Sequence, residues 1–140
     1  MSRFDLHPRL QADTLLIGDL KLSRLLLMND RRFPWCVLVP RLEGARELHD
    51  LVRGDQTTLL EEINLVSLAL LAHCEVEKIN IGALGNLVPQ LHVHVVGRRG
   101  TDAAWPGPVW GHGQALRYED EEASRLTTVL RDACGIRSAR

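Results

Sequence analysis

The stretch Gln90-Leu91-His92-Val93-His94-Val95-Val96 alternates between polar and apolar side chains, a pattern that predicts a β-strand. Because successive side chains of a strand point to opposite faces, Gln90, His92 and His94 are predicted to line one face together. Each residue rises about 3.3 Å, so neighbouring members of this row stand about 6.5–7 Å apart. The apolar residues of the alternation are predicted to pack in the core, and they are Leu91, Val93 and Val95.

Further strands and helices are predicted on both sides of this segment. Alternating or continuous apolar runs predict strands over residues 14–19, 21–28, 35–39, 76–83 and 90–97. Helical spacing predicts a short helix over 8–13, a long helix from the N-cap Asp55 to about 73–75, and a last helix opening at the acidic run 119–122. This order predicts an α+β fold, an antiparallel sheet of about five strands with helices packed on it. We expect residues 1–140 to form a single domain.

The composition is that of a globular protein, with 45% hydrophobic and 25% charged residues. A formal net charge of −1 gives no general attraction to nucleic acid or to an anionic membrane, so neither is expected as a partner. The three cysteines form no C-x-x-C pair and are expected to be reduced thiols. Neither a signal-peptide pattern nor a run of about 20 apolar residues is found, which favours a cytoplasmic location.

The side chains of His92 and His94 suit proton transfer and nucleophilic chemistry near neutral pH. One imidazole of such a pair can attack phosphorus while the other guides a proton and binds phosphoryl oxygens. The turn 85–87 precedes them, and its backbone N–H groups and the Asn86 amide could also bind those oxygens. Arg98 follows the strand and could reach a phosphate tail, although a solvated turn explains it equally well.

Two other interpretations of the H-x-H pattern stay open. The histidines could be hydrogen-bonded or solvated surface residues, or they could bind zinc with a third ligand from elsewhere. The weak candidates for that ligand are His73, Cys74 and His112, and no metal is expected. Trp105 and Trp110 lie in a segment rich in glycine and proline, where packing is favoured over a role as a lid on a nucleotide.

The segment 90–96 resembles the signature of the histidine triad (HIT) family, His-φ-His-φ-His-φ-φ with φ apolar, and matches six of its seven positions. The resemblance extends to 26–40, which is similar to the family's paired strands and includes Asn29 before the loop. Asn80 and Asn86 lie where the family places polar groups, and Trp105-Pro106 follows the signature as in many members. The resemblance covers most of residues 14–112.

The resemblance implies an α+β homodimer that acts on a small nucleotide substrate without a cofactor. Typical reactions are hydrolysis or transfer at the α-phosphate of nucleoside phosphoramidates or dinucleoside polyphosphates. His92 corresponds to the nucleophile, which forms a nucleotidyl-histidine intermediate, and His94 to the histidine that contacts phosphate oxygens and assists the leaving group. The substrate-binding residues that the sequence suggests are Asn29 for the ribose, Asn86 for the phosphate, Asn80 and Arg98.

Gln90 departs from the family signature, because it stands where the first histidine is expected. An amide can orient His92 or bind a phosphoryl oxygen, but it cannot act as a general acid. We therefore expect a HIT-like hydrolase of a bacterial branch with glutamine at this position, active through His92 and His94. The alternative is a nucleotide-binding module with weak or no turnover. Leu87 bears on the same choice between an active enzyme and a binding module, since many relatives carry a hydroxyl residue at that position.

Overall fold

Five strands form one antiparallel sheet in a computed structural model, which describes residues 4–137. The strands are β1 (Thr14–Asp19), β2 (Ser23–Met28), β3 (Trp35–Pro40), β4 (Lys78–Gly82) and β5 (Val93–Arg98). Their order across the sheet is β1-β2-β3-β5-β4, so the strand that carries His94 lies between β3 and the edge strand β4. The predicted α+β fold is confirmed.

Among the described residues, three α-helices accompany the sheet: α1 (Pro8–Asp13), α2 (Arg53–His73) and α3 (Asp120–Ala133), with a 3-10 turn at Leu48–Asp50. The predicted N-cap Asp55 is wrong, because the cap of α2 is Val52. The Val52 carbonyl accepts the N–H of Gln56, which starts the helical ladder before Asp55. Asp55 instead lies in the first turn, where a carboxylate interacts favourably with the helix dipole.

Two hydrophobic cores lie on the two faces of the sheet. The helix-side core joins α2 and α3 to alternate strand residues, and its members include Leu25, Leu38, Val66, Val93 and Val95. The site-side core lies on the face of His94, and its members include Leu26, Trp35, Val37, Val96 and Val109. Leu91, Val93 and Val95 all belong to the helix-side core, as the alternation predicts.

The strand predicted over 90–97 begins three residues later than expected, at Val93. Pairing with β3 ends at Val93, which lies opposite Leu38, while the N–H of Leu91 donates to the carbonyl of Ala45 at 3.0 Å. The backbone from Gln90 to His92 is therefore held by the 41–47 segment and by side chains, not by the sheet. The other predicted strand ends agree with the structure to within two residues.

Residues 99–119, between β5 and α3, run mostly as turns and irregular backbone, as their glycine and proline content predicts. Part of this segment packs back on the site-side core through Val109 and Trp110. Within residues 4–137, none of the helices has the length and apolar character needed to cross a membrane.

Candidate active site

His92 is 7% exposed and lies just before β5. Its Nδ1 is 2.7 Å from the backbone carbonyl oxygen of Gln90. A carbonyl oxygen only accepts hydrogen bonds, so Nδ1 carries the proton in this pair. In the neutral ring Nε2 then keeps its lone pair, which is the protonation state that a nucleophile needs.

His94 is 6% exposed and has the opposite arrangement. The indole Nε1–H of Trp35 donates to its Nδ1 at 3.0 Å. An indole N–H can only donate, so Nδ1 is the acceptor and the ring proton of neutral His94 lies on Nε2. Burial, and to a smaller extent electrostatic repulsion from His92, lower the pKa of His94 from 6.5 to about 4, so His94 is neutral at pH 7.

The two imidazoles lie side by side, with ring centroids 5.0 Å apart and planes at 71°. His94 also contacts Trp35 and Trp110, whose ring centroids are 5.5 and 5.6 Å away. Trp110 reaches this position because Gly82 on β4, opposite His94, has no side chain. A Cβ at Gly82 would lie 3.0 Å from the Trp110 ring. The site therefore combines an Nε2 acceptor and an Nε2–H donor within an aromatic wall.

Of the predicted row of three side chains, His94 lies on β5, whereas Gln90 and His92 both precede the strand. The Gln90 side-chain oxygen accepts the N–H of His7 at 2.9 Å, and its amide donates to the carbonyl of Asp5 at 3.0 Å. The backbone carbonyl of Gln90 is the group that is hydrogen-bonded to His92. The glutamine side chain thus fixes the N-terminal segment next to the site, while the main chain orients the imidazole.

Arg98, which the sequence suggests as a substrate-binding residue, is buried, with its side chain 2% exposed. It forms a paired ion bridge with Asp102 at 2.8 and 3.1 Å and also donates to Asn80 Oδ1 and the Gly107 carbonyl, both at 2.8 Å. The side-chain oxygen of Asn80 is therefore hydrogen-bonded to the Arg98 guanidinium. Burial raises the pKa of Asp102, but the hydrogen bonds from Arg98 and three backbone N–H groups outweigh it and bring the pKa to about 2.

Asn29 and Asn86 lie in two different loops, after β2 and after β4. Asn29 accepts the N–H of Tyr118 at 2.9 Å, and it lines a cavity of about 290 Å³. Other residues lining this cavity are Met28, Trp35, Val109 and His112. Asn86 is exposed in the loop after β4, where Gly85 adopts a positive φ of 66°, consistent with the predicted turn.

Residues 4–137 contain no group of three histidine, cysteine, aspartate or glutamate side chains placed to hold a metal ion. The third ligand that a zinc site on His92 and His94 would need is therefore not found in that part of the chain. Of the suggested candidates, His73 and Cys74 line a separate cavity near the end of α2, and His112 lines the cavity of Asn29.

Trp35 is the residue of this site that the sequence interpretation missed. Two signals were available: the strand over 35–39 is apolar, and Trp35 bears an N–H group that requires a partner when buried. What connects it to His94 is the pairing of β3 with β5, in which Trp35 lies opposite Val96 and Val37 opposite His94. Diagonal neighbours on a sheet face lie within reach of a large side chain.

Comparison with known proteins agrees with this geometry. The model of the HIT domain matches residues 9–101, more than half of the chain. No match was found among curated proteins.

Three solved structures are similar over nearly their whole length. A histidine triad protein from Bradyrhizobium japonicum is 48% identical, with 94% of this chain and 98% of that chain covered and a TM-score of 0.91. A histidine triad (HIT) protein from Sinorhizobium meliloti 1021 is 47% identical, with 93% and 96% covered and a TM-score of 0.91. A histidine triad protein from Marinobacter aquaeolei VT8 is 41% identical, with 96% and 98% covered and a TM-score of 0.92. On the family match and these identities, the chain belongs to the histidine triad family.

Proposed function

We propose that this protein is a nucleotide hydrolase or nucleotidyl transferase that acts at the α-phosphate of nucleoside phosphoramidates or dinucleoside polyphosphates. Family membership implies a nucleotide-binding hydrolase or transferase. The observation that carries the finer proposal is the 2.7 Å contact between Nδ1 of His92 and the Gln90 carbonyl, because it leaves the Nε2 lone pair available for attack.

The reaction proceeds in two displacements at one phosphorus atom. The Nε2 lone pair of His92 forms a bond to the α-phosphorus, and the bond to the leaving group breaks with its electron pair going to the leaving atom. Water then attacks the phosphorus and gives up a proton to solvent, the P–N bond breaks and its electron pair returns to Nε2, which releases a nucleoside monophosphate. The proton released balances the one that an amine leaving group takes up in the first displacement. In a transfer reaction, another acceptor takes the place of water.

His94 supports both displacements from the neighbouring position. Its Nε2–H donates to a phosphoryl oxygen, where negative charge is concentrated in the transition state. Because His94 is neutral at pH 7, it provides this donor without a full positive charge beside His92. Asn86 adds an amide donor from the exposed loop, and Asn29 contacts the ribose from the adjoining cavity.

The replacement of the family's first histidine by Gln90 is compatible with turnover. The contact that orients His92 comes from the main chain at position 90, which any residue supplies. The Gln90 side chain is engaged by Asp5 and His7 and contributes no proton transfer. This geometry favours an active enzyme over the alternative of a nucleotide-binding module.

Intact-protein mass spectrometry after rapid acid quenching of a reaction with adenosine 5′-phosphoramidate tests the proposal. The wild type should carry a transient nucleotidyl adduct and release AMP, whereas His92→Ala should do neither. His49→Ala is the matched control, because its side chain is 84% exposed and lies outside the site. Thermal stabilisation by the nucleotide without adduct or product would favour the binding module instead.

We also propose that two copies of the chain associate through α2 and β4. Helix α2 is apolar on a second stripe opposite its buried one, with Leu60, Leu68 and Leu71 at 58%, 65% and 43% exposure. On β4, Ile81 shares the helix-side face with Ile79 and is 53% exposed. Edge strand β4 also has an unpaired backbone side, which pairs readily with another strand.

Sedimentation velocity of the wild type and of Leu68→Glu tests this association. We expect a dimer for the wild type and a monomer for Leu68→Glu, since a buried unpaired carboxylate opposes the contact. Leu16→Glu is the control, because Leu16 is 59% exposed on β1 at the opposite edge of the sheet. A monomeric wild type, or dissociation by both substitutions, contradicts the proposed surface.

A further inference from the structure

We propose that Trp35 is a positioning residue that acts through His94, its indole N–H holding His94 in the form that is protonated on Nε2. The inference deepens the proposed function and rests on it for its catalytic meaning. The hydrogen bond itself is a property of the protein without substrate, so it can be tested separately.

The contact between Trp35 and His94 is short, buried and chemically unambiguous. The indole nitrogen lies 3.0 Å from Nδ1 of His94, and the two side chains are 7% and 6% exposed. Since the indole N–H cannot accept a hydrogen bond, the form of His94 with a proton on Nδ1 would set two donors against each other. A buried donor without an acceptor costs about 1–3 kcal/mol, which strongly favours the Nε2–H form.

The position of Trp35 is fixed from several directions. Its backbone is paired in β3 opposite Val96 of β5, two residues from the pair between Val37 and His94. Its ring packs edge-on against Phe33 and Trp110, at centroid distances of 6.4 and 6.2 Å. The register of the sheet and the aromatic packing therefore hold the N–H in line with Nδ1, so the bond does not depend on a mobile side chain.

This bond decides which atom His94 presents next to the nucleophile. With Nδ1 occupied, Nε2 presents a proton, and a phosphoryl oxygen beside His92 meets a donor. With the opposite tautomer, Nε2 would present a lone pair to the same anionic oxygen and repel it. The low pKa of His94 agrees with a neutral ring whose single proton has a fixed place.

Nitrogen NMR of protein labelled with ¹⁵N-histidine tests the tautomer directly, without substrate. We expect His94 in the wild type to show an unprotonated Nδ1 and a protonated Nε2 at about pH 7. In Trp35→Phe this preference should disappear. Trp110→Phe is the matched control, because the indole nitrogen of Trp110 has no hydrogen-bond partner although its ring also packs on His94. We expect the His94 tautomer to stay unchanged in that variant.

Kinetics on the same proteins connect the tautomer to the reaction. Trp35→Phe should lower kcat by about 10- to 100-fold with little change in KM. That loss is smaller than the roughly 10⁴-fold seen when a histidine is forced into the wrong tautomer, because the variant removes the preference without imposing the opposite one. A Trp35 variant carrying benzothienylalanine, which replaces the N–H by sulfur in a ring of the same shape, should behave like Trp35→Phe if both fold.

The outcomes separate the inference from the proposed function. A proton on Nδ1 of His94 in the wild type, or an unchanged tautomer in both Trp35 variants, overturns the inference. An altered tautomer with unchanged kcat also overturns it, because Trp35 would then be structural only. If the tautomer responds to Trp35 as expected but the wild type turns over no nucleotide, the hydrogen bond stands and the proposed function fails.

Discussion

The carbonyl oxygen of Gln90 lies 2.7 Å from Nδ1 of His92, whereas the Gln90 side chain is hydrogen-bonded to the N-terminal segment at Asp5 and His7. One residue therefore makes two separate sets of contacts, one hydrogen bond through its backbone and two through its side-chain amide. The orientation of the imidazole and the anchoring of the N-terminal segment can be separated by mutation.

Gln90→Ala should destabilise the protein more than it slows the reaction. Loss of the two side-chain hydrogen bonds should reduce the free energy of unfolding by about 1–2 kcal/mol. The backbone carbonyl remains, so kcat for nucleotide release should change by less than about tenfold, which corresponds to 1.4 kcal/mol. Urea denaturation and steady-state kinetics measure the two effects.

Gln90→His provides the complementary measurement. The binding-module hypothesis expects this variant to gain activity, whereas the backbone contact with His92 predicts no large gain. A hundredfold rise in kcat, or an equal loss in Gln90→Ala at native stability, would show that the side chain at position 90 acts on the substrate.

Asp102→Asn should be strongly destabilising although Asp102 lies outside the proposed chemistry. It leaves the buried Arg98 cation without its charged partner, and breaking a buried pair in this way costs about 3–5 kcal/mol. The control is Asp13→Asn, which disrupts the exposed Arg9–Asp13 pair at 3.9 Å and should cost less than about 1 kcal/mol. Similar midpoints of urea denaturation for the two variants would contradict the structural role of Arg98.

The free energy of unfolding should fall as the pH decreases from about 6.5 to 4 because of His94. The ordinary pKa of a histidine, 6.5, applies to the unfolded chain, whereas the pKa of His94 in the folded protein is about 4. Between pH 6.5 and 4 the unfolded chain therefore binds more protons than the folded protein. A pKa shift of this size changes the free energy of unfolding by at most about 3 kcal/mol. The test compares the pH dependence of stability in the wild type and His94→Asn, which should show a flatter curve.

The carboxylate of Asp102 does not obscure this comparison. Its pKa moves from 3.8 to about 2, so its contribution to stability is lost mainly below the window in which His94 titrates. Parallel pH curves for wild type and His94→Asn above pH 4 would show that the buried imidazole is not kept neutral by the fold.

Gly82→Ala should displace Trp110 from its place beside His94. The added Cβ would lie 3.0 Å from the Trp110 ring, closer than ordinary van der Waals contact, so the ring must move. We expect a shift of the Trp110 indole resonance and a change in the His94 signals. Gly54→Ala is the control, because Gly54 lies in α2 and a Cβ there meets no atom within 4 Å.

Gly54→Ala should slightly stabilise α2, because alanine has a higher helix propensity than glycine. Unchanged Trp110 and His94 resonances in Gly82→Ala would mean that the aromatic wall tolerates a methyl group at this point. The role of Gly82 in placing Trp110 would then be refuted.

The segments that form strands, and the strand residues that face each core, were predictable because both depend on local periodicity. The alternation around His92 placed Leu91, Val93 and Val95 on the helix-side core, as observed. The start of β5 was not predictable, because alternation continues through Gln90 although the pairing of β5 with β3 ends at Val93. Pairing between distant strands, which the local pattern does not contain, sets that boundary.

The same distinction applies to the site. The proximity of His92 and His94 follows from their spacing along the chain. The contact of Trp35 with His94 and the enclosure of Arg98 by Asn80 and Asp102 depend on tertiary structure. Arg98 resembled a free cation in sequence, because nothing local shows that Asn80 on β4 accepts one of its hydrogen bonds.

The separation of the two cores by the sheet has a consequence for how the protein can diverge. Substitutions among Trp35, Val109 and Trp110 reshape the site-side core without changing the residues that pack α2 and α3 on the other face. The exception is β5, where a one-residue insertion would exchange the side chains of the two faces. Changes in chain length are tolerated instead in irregular segments such as 99–119, and new substrate ranges are expected to arise there first.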